Sequence, residues 1–193
     1  MDALLQVKDL KTTFKTLRGE ITAVDGVNFQ VNKGEILGIV GESGCGKSVT
    51  SQSIMRLYNE KDLVKYQGEI ILEDTDLLKL SEKEMQKVRG NDVAMIFQDA
   101  LSSLNPVFTV GSQISEAIHL HQKISKKEAR ERAIELLRLT GIPIPEKRVD
   151  AYPHEMSGGM RQRSMIALAL SCQPSQMNRQ RHLMLRYRHR SWI

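Results

Sequence analysis

Cysteine is scarce: Cys45 and Cys172 are the two in 193 residues. That excludes a disulfide framework and points to a reducing compartment. No apolar run approaches the roughly 18 residues a membrane-spanning helix needs. No basic stretch followed by an apolar one opens the chain, so no export leader is expected. Internal repeats and low-complexity linkers are lacking too. Acidic residues are missing from residues 176–193, which hold Arg179, Arg181, Arg186, Arg188 and Arg190. Taking those five from the 28 basic residues leaves 23, matched by the 23 acidic ones, so the whole net charge of +5 sits in this tail. A basic tail can bind nucleic acid or a membrane surface, but the origin of the tail argued below makes a nucleic-acid partner unexpected. What is present is a hydrophobic content of 40%, enough for the core of one domain with a small subdomain.

Leu4–Phe14 and Ile21–Val31 mix alternating and β-branched apolar residues around Arg18-Gly19, and are predicted to form an antiparallel pair. Glu35–Val40 carries the run Ile36-Leu37-Gly38-Ile39-Val40, of the kind buried on both faces in a parallel sheet. A glycine loop follows, then a helix over Lys47–Leu57. Gly68–Glu73 and Val93–Gln98 read as strands, and Ser81 with Glu84 caps a helix to Arg89. From Asp99 the pattern turns helical. Val110–His121 is one helix; Ser125 with Glu128 caps another that Gly141 and Pro143 stop. Ser157 opens a last helix through Ala169, closed by Pro174. Residues 99–155 are thus a helical insertion in an α/β domain.

The loop is Gly41-Glu-Ser-Gly-Cys-Gly-Lys47-Ser48, a match to Gly-x-x-x-x-Gly-Lys-Ser in strand–loop–helix context. By average residue frequencies a chance match arises in on the order of one per cent of chains this long. Gly41, Gly44 and Gly46 let the backbone curl so that successive N–H groups face phosphate oxygens. The following helix adds its positive dipole end. Lys47 is suited to the β- and γ-phosphates and the Ser48 hydroxyl to magnesium. The bland alternative is a glycine turn with an exposed lysine. Cys45 reads either as a reactive thiol near a helix start or as a small loop side chain. Ser157-Gly158-Gly159 before an Arg/Gln-rich helix start is, by itself, equally a common N-cap. His154, in Tyr152-Pro153-His154-Glu155, reads as loop structure rather than as a catalytic group.

The phosphate loop followed by Met156-Ser157-Gly158-Gly159-Met160-Arg161-Gln162-Arg163 resembles the ATP-binding subunit of an ABC transporter. The resemblance covers residues 1–175. It implies a P-loop NTPase (RecA-like) core with an N-terminal antiparallel β subdomain and a helical insertion. ATP and magnesium would be the ligands, with Gly41, Glu42, Ser43, Gly44, Cys45, Gly46, Lys47 and Ser48 on the phosphates. Ser157, Gly158 and Gly159 resemble the signature that meets the γ-phosphate of ATP held by a second subunit, in a head-to-tail dimer. Met95-Ile96-Phe97-Gln98 resembles the Q-loop, whose Gln98 would contact magnesium and the attacking water. Phe14 falls where the family stacks an aromatic on adenine; a core phenylalanine is the other reading. Gln98-Asp99, Ser103-Leu104-Asn105-Pro106-Val107-Phe108-Thr109-Val110-Gly111 and Tyr152–Glu155 are similar to the dipeptide/oligopeptide import subfamily, with nickel importers close by. Ala100 departs from the proline usual there. The implied partners are membrane permease subunits and a separate substrate-binding protein; the implied place is cytoplasmic, peripheral on the inner face of the cell membrane.

Family members carry an acidic motif (the Walker B carboxylate and catalytic glutamate) roughly fifteen residues after the signature. Here the chain reads Gln176-Met-Asn-Arg-Gln-Arg-His-Leu-Met. Codons permitted for residues 176–193 also read, from the third base, Asp-Glu-Pro-Thr-Thr-Ala-Leu-Asp-Val-Thr-Ile-Ser-Ala-Gln-Ile-Leu-Asp, the motif expected. Residues 176–193 are therefore expected to be a non-native basic tail produced by a frameshift after Ser175, with core strands missing. A non-catalytic nucleotide-binding remnant, or an inactive product that folds poorly and aggregates, stands as the alternative to a working importer ATPase. An ABC protein of DNA repair or translation is disfavoured by the import-type segment Ser102–Gly111.

Overall fold

The structure, a computed structural model, describes residues 3–58, 63–97, 103–122, 124–171 and 183–186, the last four by backbone alone. The chain divides after Arg89 into two compact units.

In the first unit β1 (Ala3–Thr16) and β2 (Gly19–Asn32) form the expected antiparallel hairpin, with Thr13 opposite Thr22 and Phe14 opposite Ile21. β3 (Val64–Leu72) pairs antiparallel along the other side of β1, and β4 (Thr75–Asp76) pairs antiparallel with β3, giving the order β2-β1-β3-β4. Leu5 and Val7 on β1 and Ile70 and Leu72 on β3 alternate inward and are buried, and Leu10 joins them after a register shift at Asp9, which adopts φ 46°. Helix α1 (Lys47–Ile54) packs on β1 and β2, where the buried hydroxyls of Thr12 and Ser53 hydrogen-bond at 2.9 Å. It ends three residues before the predicted Leu57. Arg56 adopts φ 47°, and the Leu57 N–H returns to the Gln52 carbonyl at 3.1 Å, a left-handed helix stop. Arg89 fastens that end, donating from Nε to the Met55 carbonyl (2.8 Å) and from Nη2 to the Arg56 carbonyl (2.7 Å). Helix α2 (Glu82–Val88) starts at the capping box of Ser81 and Glu84.

One expectation fails here. Glu35–Val40 forms no strand, and Ile36 and Val40 are 97% and 95% exposed. An extended segment becomes a strand by pairing its N–H and C=O groups. Among the described residues none of 36–40 makes a backbone hydrogen bond, so the apolar run lies open instead of inside a parallel sheet.

The second unit is helical, as expected. Strand β5 (Val93–Ile96) leads into α3 (Val110–His121), α4 (Lys126–Leu139), the short α5 (Pro145–Arg148) and α6 (Gly158–Ser171). Helices α3, α4 and α6 pack on one another around Ile114, Ile118, Ala133, Leu137 and Met160. Ser125 and Glu128 form the predicted capping box. Tail residues Leu183–Arg186 form β6, beside β5 in a two-stranded sheet.

Candidate nucleotide site

The phosphate loop runs from an open approach into the start of α1. Gly46 is the N-cap of α1 at φ 90°, and a Cβ there would stand 2.6 Å from the Ala23 carbonyl oxygen of β2. Conformation and close approach both demand glycine at this position. A Cβ on Gly41 would meet the Cys45 sulfur at 2.7 Å, so the Cys45 side chain lies close over Gly41. Gly44, at φ 83°, has open space above it.

The Lys47 ammonium folds back across the loop. It donates to the carbonyl oxygens of Gly41 (2.6 Å) and Glu42 and lies 3.3 Å from the exposed Cys45 sulfur. Thr50 anchors the first turn through its N–H and hydroxyl to the Gly46 carbonyl, at 2.8 and 3.0 Å. The half-buried Ser48 hydroxyl makes no hydrogen bond among the described residues. The loop therefore brings the Lys47 cation and the Ser48 hydroxyl to the N-terminus of α1, a set suited to a polyphosphate and a hard divalent cation. Phe14 belongs to the same unit, one residue beyond the Thr13–Thr22 pair. It is half-buried and meets Tyr58 edge-on, with ring centroids 4.9 Å apart.

In the second unit the Ser157 hydroxyl accepts from the Met160 N–H at 3.3 Å and caps α6, leaving Ser157, Gly158 and Gly159 exposed at its start. His154 is exposed and stacked on Tyr152 at 5.5 Å, as a loop residue. Gln98 and Ala100 lie outside the described residues. One residue that sequence reasoning gave no role is Arg161. Its Nη1 donates to the Met156 carbonyl at 2.6 Å and to the Pro153 carbonyl at 3.4 Å, on the segment leading into Ser157. No motif marks this, because it depends on how residues 153–156 turn back over the helix.

A glycine-built phosphate loop capping a helix beside an antiparallel sheet, with a glycine-led helix start in a helical unit, defines a P-loop nucleotide-binding protein of the cassette type. Residues 24–177 match the ABC transporter family model, and the chain belongs to that family. It is 59% identical over 171 residues to the oligopeptide transport ATP-binding protein OppD of Bacillus subtilis (strain 168), covering 89% of this chain and 48% of that protein. It is 56% identical over 173 residues to the probable peptide ABC transporter ATP-binding protein y4tR of Sinorhizobium fredii, covering 90% and 52%. The chain thus spans about half the length of these relatives. Among solved structures, the dimeric post-hydrolysis state of the ATP-binding cassette MJ0796 bound to ADP and Pi matches with a TM-score of 0.75 and 28% identity, over 87% of this chain and 69% of that one. The fold is the ABC ATPase cassette, with an antiparallel N-terminal sheet.

Proposed function

We propose that this chain is the nucleotide-binding part of an ATP-binding subunit of an ABC importer for di- or oligopeptides. The observation that carries this reading is the contrast between two sets of glycines. In the loop, Gly44 and Gly46 are required by positive φ, and Gly46 also by the Ala23 carbonyl beside it. Gly158 and Gly159 are not: neither has a positive φ, a Cβ on Gly159 would touch nothing within 4 Å, and one on Gly158 would meet only Arg161 Nη2 at 3.9 Å. Glycine in a helix costs roughly 0.5–1 kcal/mol relative to alanine. A bare, exposed helix start kept at that cost suits a phosphate brought from outside, the part implied by a second subunit's ATP.

In this reading Lys47 exchanges its neutral carbonyl partners for phosphate oxygens, which are stronger acceptors for an ammonium. Ser48, whose hydroxyl has no hydrogen-bond partner among the described residues, and Gln98 would hold magnesium, which when bound neutralises phosphate charge. Gly41, Glu42, Ser43, Gly44, Cys45 and Gly46 would line the phosphates, and Phe14 would stack on adenine. The adjacent, exposed Val107 and Phe108 precede α3 and provide an apolar contact for a permease. The subunit would sit peripherally on the inner face of the membrane, with a separate binding protein choosing the substrate. Titration of the purified chain with a magnesium–ATP analogue tests the site. Binding that Lys47→Ala abolishes is expected; unchanged affinity in that variant overturns the assignment.

We further propose that residues 176–193 are out of frame, so that this chain binds nucleotide without turning it over. The family match ending at residue 177 supports a change of sequence there, as does the fact that codons permitted for residues 176–193 can encode the acidic motif in a second frame. Sequencing the gene across the Ser175 codon decides the matter, and a second frame without the acidic motif refutes it.

A further inference from the structure

The geometry points to Arg161 as a positioning residue that presets the exposed start of α6; its consequence for nucleotide rests on the signature reading proposed above. Three observations carry it. First, the guanidinium is half-buried, and its Nε is shielded from water with no hydrogen-bond partner among the described residues. Leaving a donor of a charged group so placed is unfavourable, so this side chain is not explained by stability in itself. Second, what the guanidinium does make is a pair of bonds to main-chain carbonyls, Met156 at 2.6 Å and Pro153 at 3.4 Å. These two belong to the segment that delivers the chain to Ser157, and Met156 precedes the cap directly. Third, Nη2 lies 3.9 Å from where a Cβ of Gly158 would stand, so the same group lies alongside the first helical residue.

Arg161 thus ties the entering strand of chain to the first turn of the helix it enters. The peptide between Met156 and Ser157 cannot rotate without breaking the 2.6 Å bond, and rotation there would swing the Ser157 hydroxyl away from the Met160 N–H it caps. The clamp fixes the directions of the Ser157 hydroxyl and of the Gly158 and Gly159 N–H groups before any ligand arrives. Preset donors lose less freedom on binding than mobile ones. Both bonds come from the one Nη1, so a lysine ammonium could make them in part, on a more flexible stem and without the Nη2 that lies alongside Gly158.

Two measurements on the full chain test this. Amide hydrogen exchange at Met160 reads the cap without nucleotide. Arg161→Ala should speed it roughly tenfold, with α3 and α4 amides unchanged and Arg161→Lys intermediate. Unchanged Met160 exchange in a folded Arg161→Ala chain overturns the clamp. Binding of a magnesium–ATP analogue is then compared with analogue-dependent self-association in sedimentation. Arg161→Ala should leave the first intact and weaken the second by about tenfold, with partial recovery in Arg161→Lys. Equal losses in both would reduce Arg161 to general support and refute the positioning role. If the unmodified chain binds the analogue but never self-associates with it, the signature reading falls, while Met160 exchange still decides the clamp.

Discussion

Replacing Ile36 and Val40 with lysine together should leave the stability of the folded chain nearly unchanged and sharply reduce its self-association. The two side chains are 97% and 95% exposed, and no residue of this segment joins a sheet ladder among the described residues. Substitution at such positions usually moves stability by no more than about 0.5 kcal/mol. Had the run been buried, fully covering an Ile or Val would contribute roughly 1.5–3 kcal/mol each, so the double change would cost about 3–6 kcal/mol. That is a large share of a typical total of about 5–15 kcal/mol, and the two cases separate cleanly. An open, uncharged, β-branched segment with unpaired backbone groups is also a template for pairing with other chains. Urea unfolding of both proteins, together with light scattering against concentration, makes the comparison. A loss of 3 kcal/mol or more in the variant would mean that the segment is covered in solution. Unaltered scattering at equal stability would mean that association starts elsewhere.

Two further outcomes concern the helical unit. Ser125→Ala removes the hydroxyl that accepts from the Glu128 N–H in the capping box of α4. It should cost about 0.5–2 kcal/mol in urea unfolding, with Ser125→Asp retaining most of the stability. Arg130 grips Asp150 through two bonds of 2.7 Å, and hydrogen bonding from that guanidinium holds the Asp150 carboxyl below its usual range. A depressed carboxylate contributes stability above its unfolded pKa and loses it as pH falls through the folded one. Asp150→Asn should therefore cost roughly 0.2–1 kcal/mol near neutrality, and the gap should close in acid; a gap that widens on acidification refutes the pairing.

Features written in local residues were legible in the sequence. Both capping boxes, the Val110–His121 helix and the β1–β2 hairpin follow from side chains acting within a few positions of themselves. So does the phosphate loop, because the positive φ of Gly44 and Gly46 is a demand of the loop's own backbone. What escaped depended on how folding brings separate segments together. The early stop of α1 is fixed by Arg89, 34 residues away from Met55. The role of Arg161 needs the turn of Pro153–Glu155 to bring two carbonyls over it. Glu35–Val40 departs from expectation for the same reason. Apolar, β-branched composition shows that a segment gains from burial, but a strand also requires a neighbour, and composition does not say whether one is there.

The two sets of glycines provide the last test, because they predict opposite signs. Gly46→Ala would force an L-residue to φ 90° and drive its Cβ to 2.6 Å from the Ala23 carbonyl oxygen. Backbone strain of that kind costs on the order of 1–3 kcal/mol before the clash is counted, so the first unit should lose stability and nucleotide affinity together. Gly159→Ala meets no atom within 4 Å and needs no unusual backbone. It should stabilise the chain by roughly 0.4–1 kcal/mol, because alanine has less freedom to lose when the helix forms. If the start of α6 receives a phosphate from a second copy, that same methyl group should block analogue-dependent association while leaving binding at Lys47 intact. A substitution that stabilises the chain but removes one interaction separates function from folding. If Gly159→Ala destabilises the chain, the glycine serves the fold and the contrast between the two sets disappears. If it stabilises the chain and association persists, the helix start is bare for some reason other than phosphate approach.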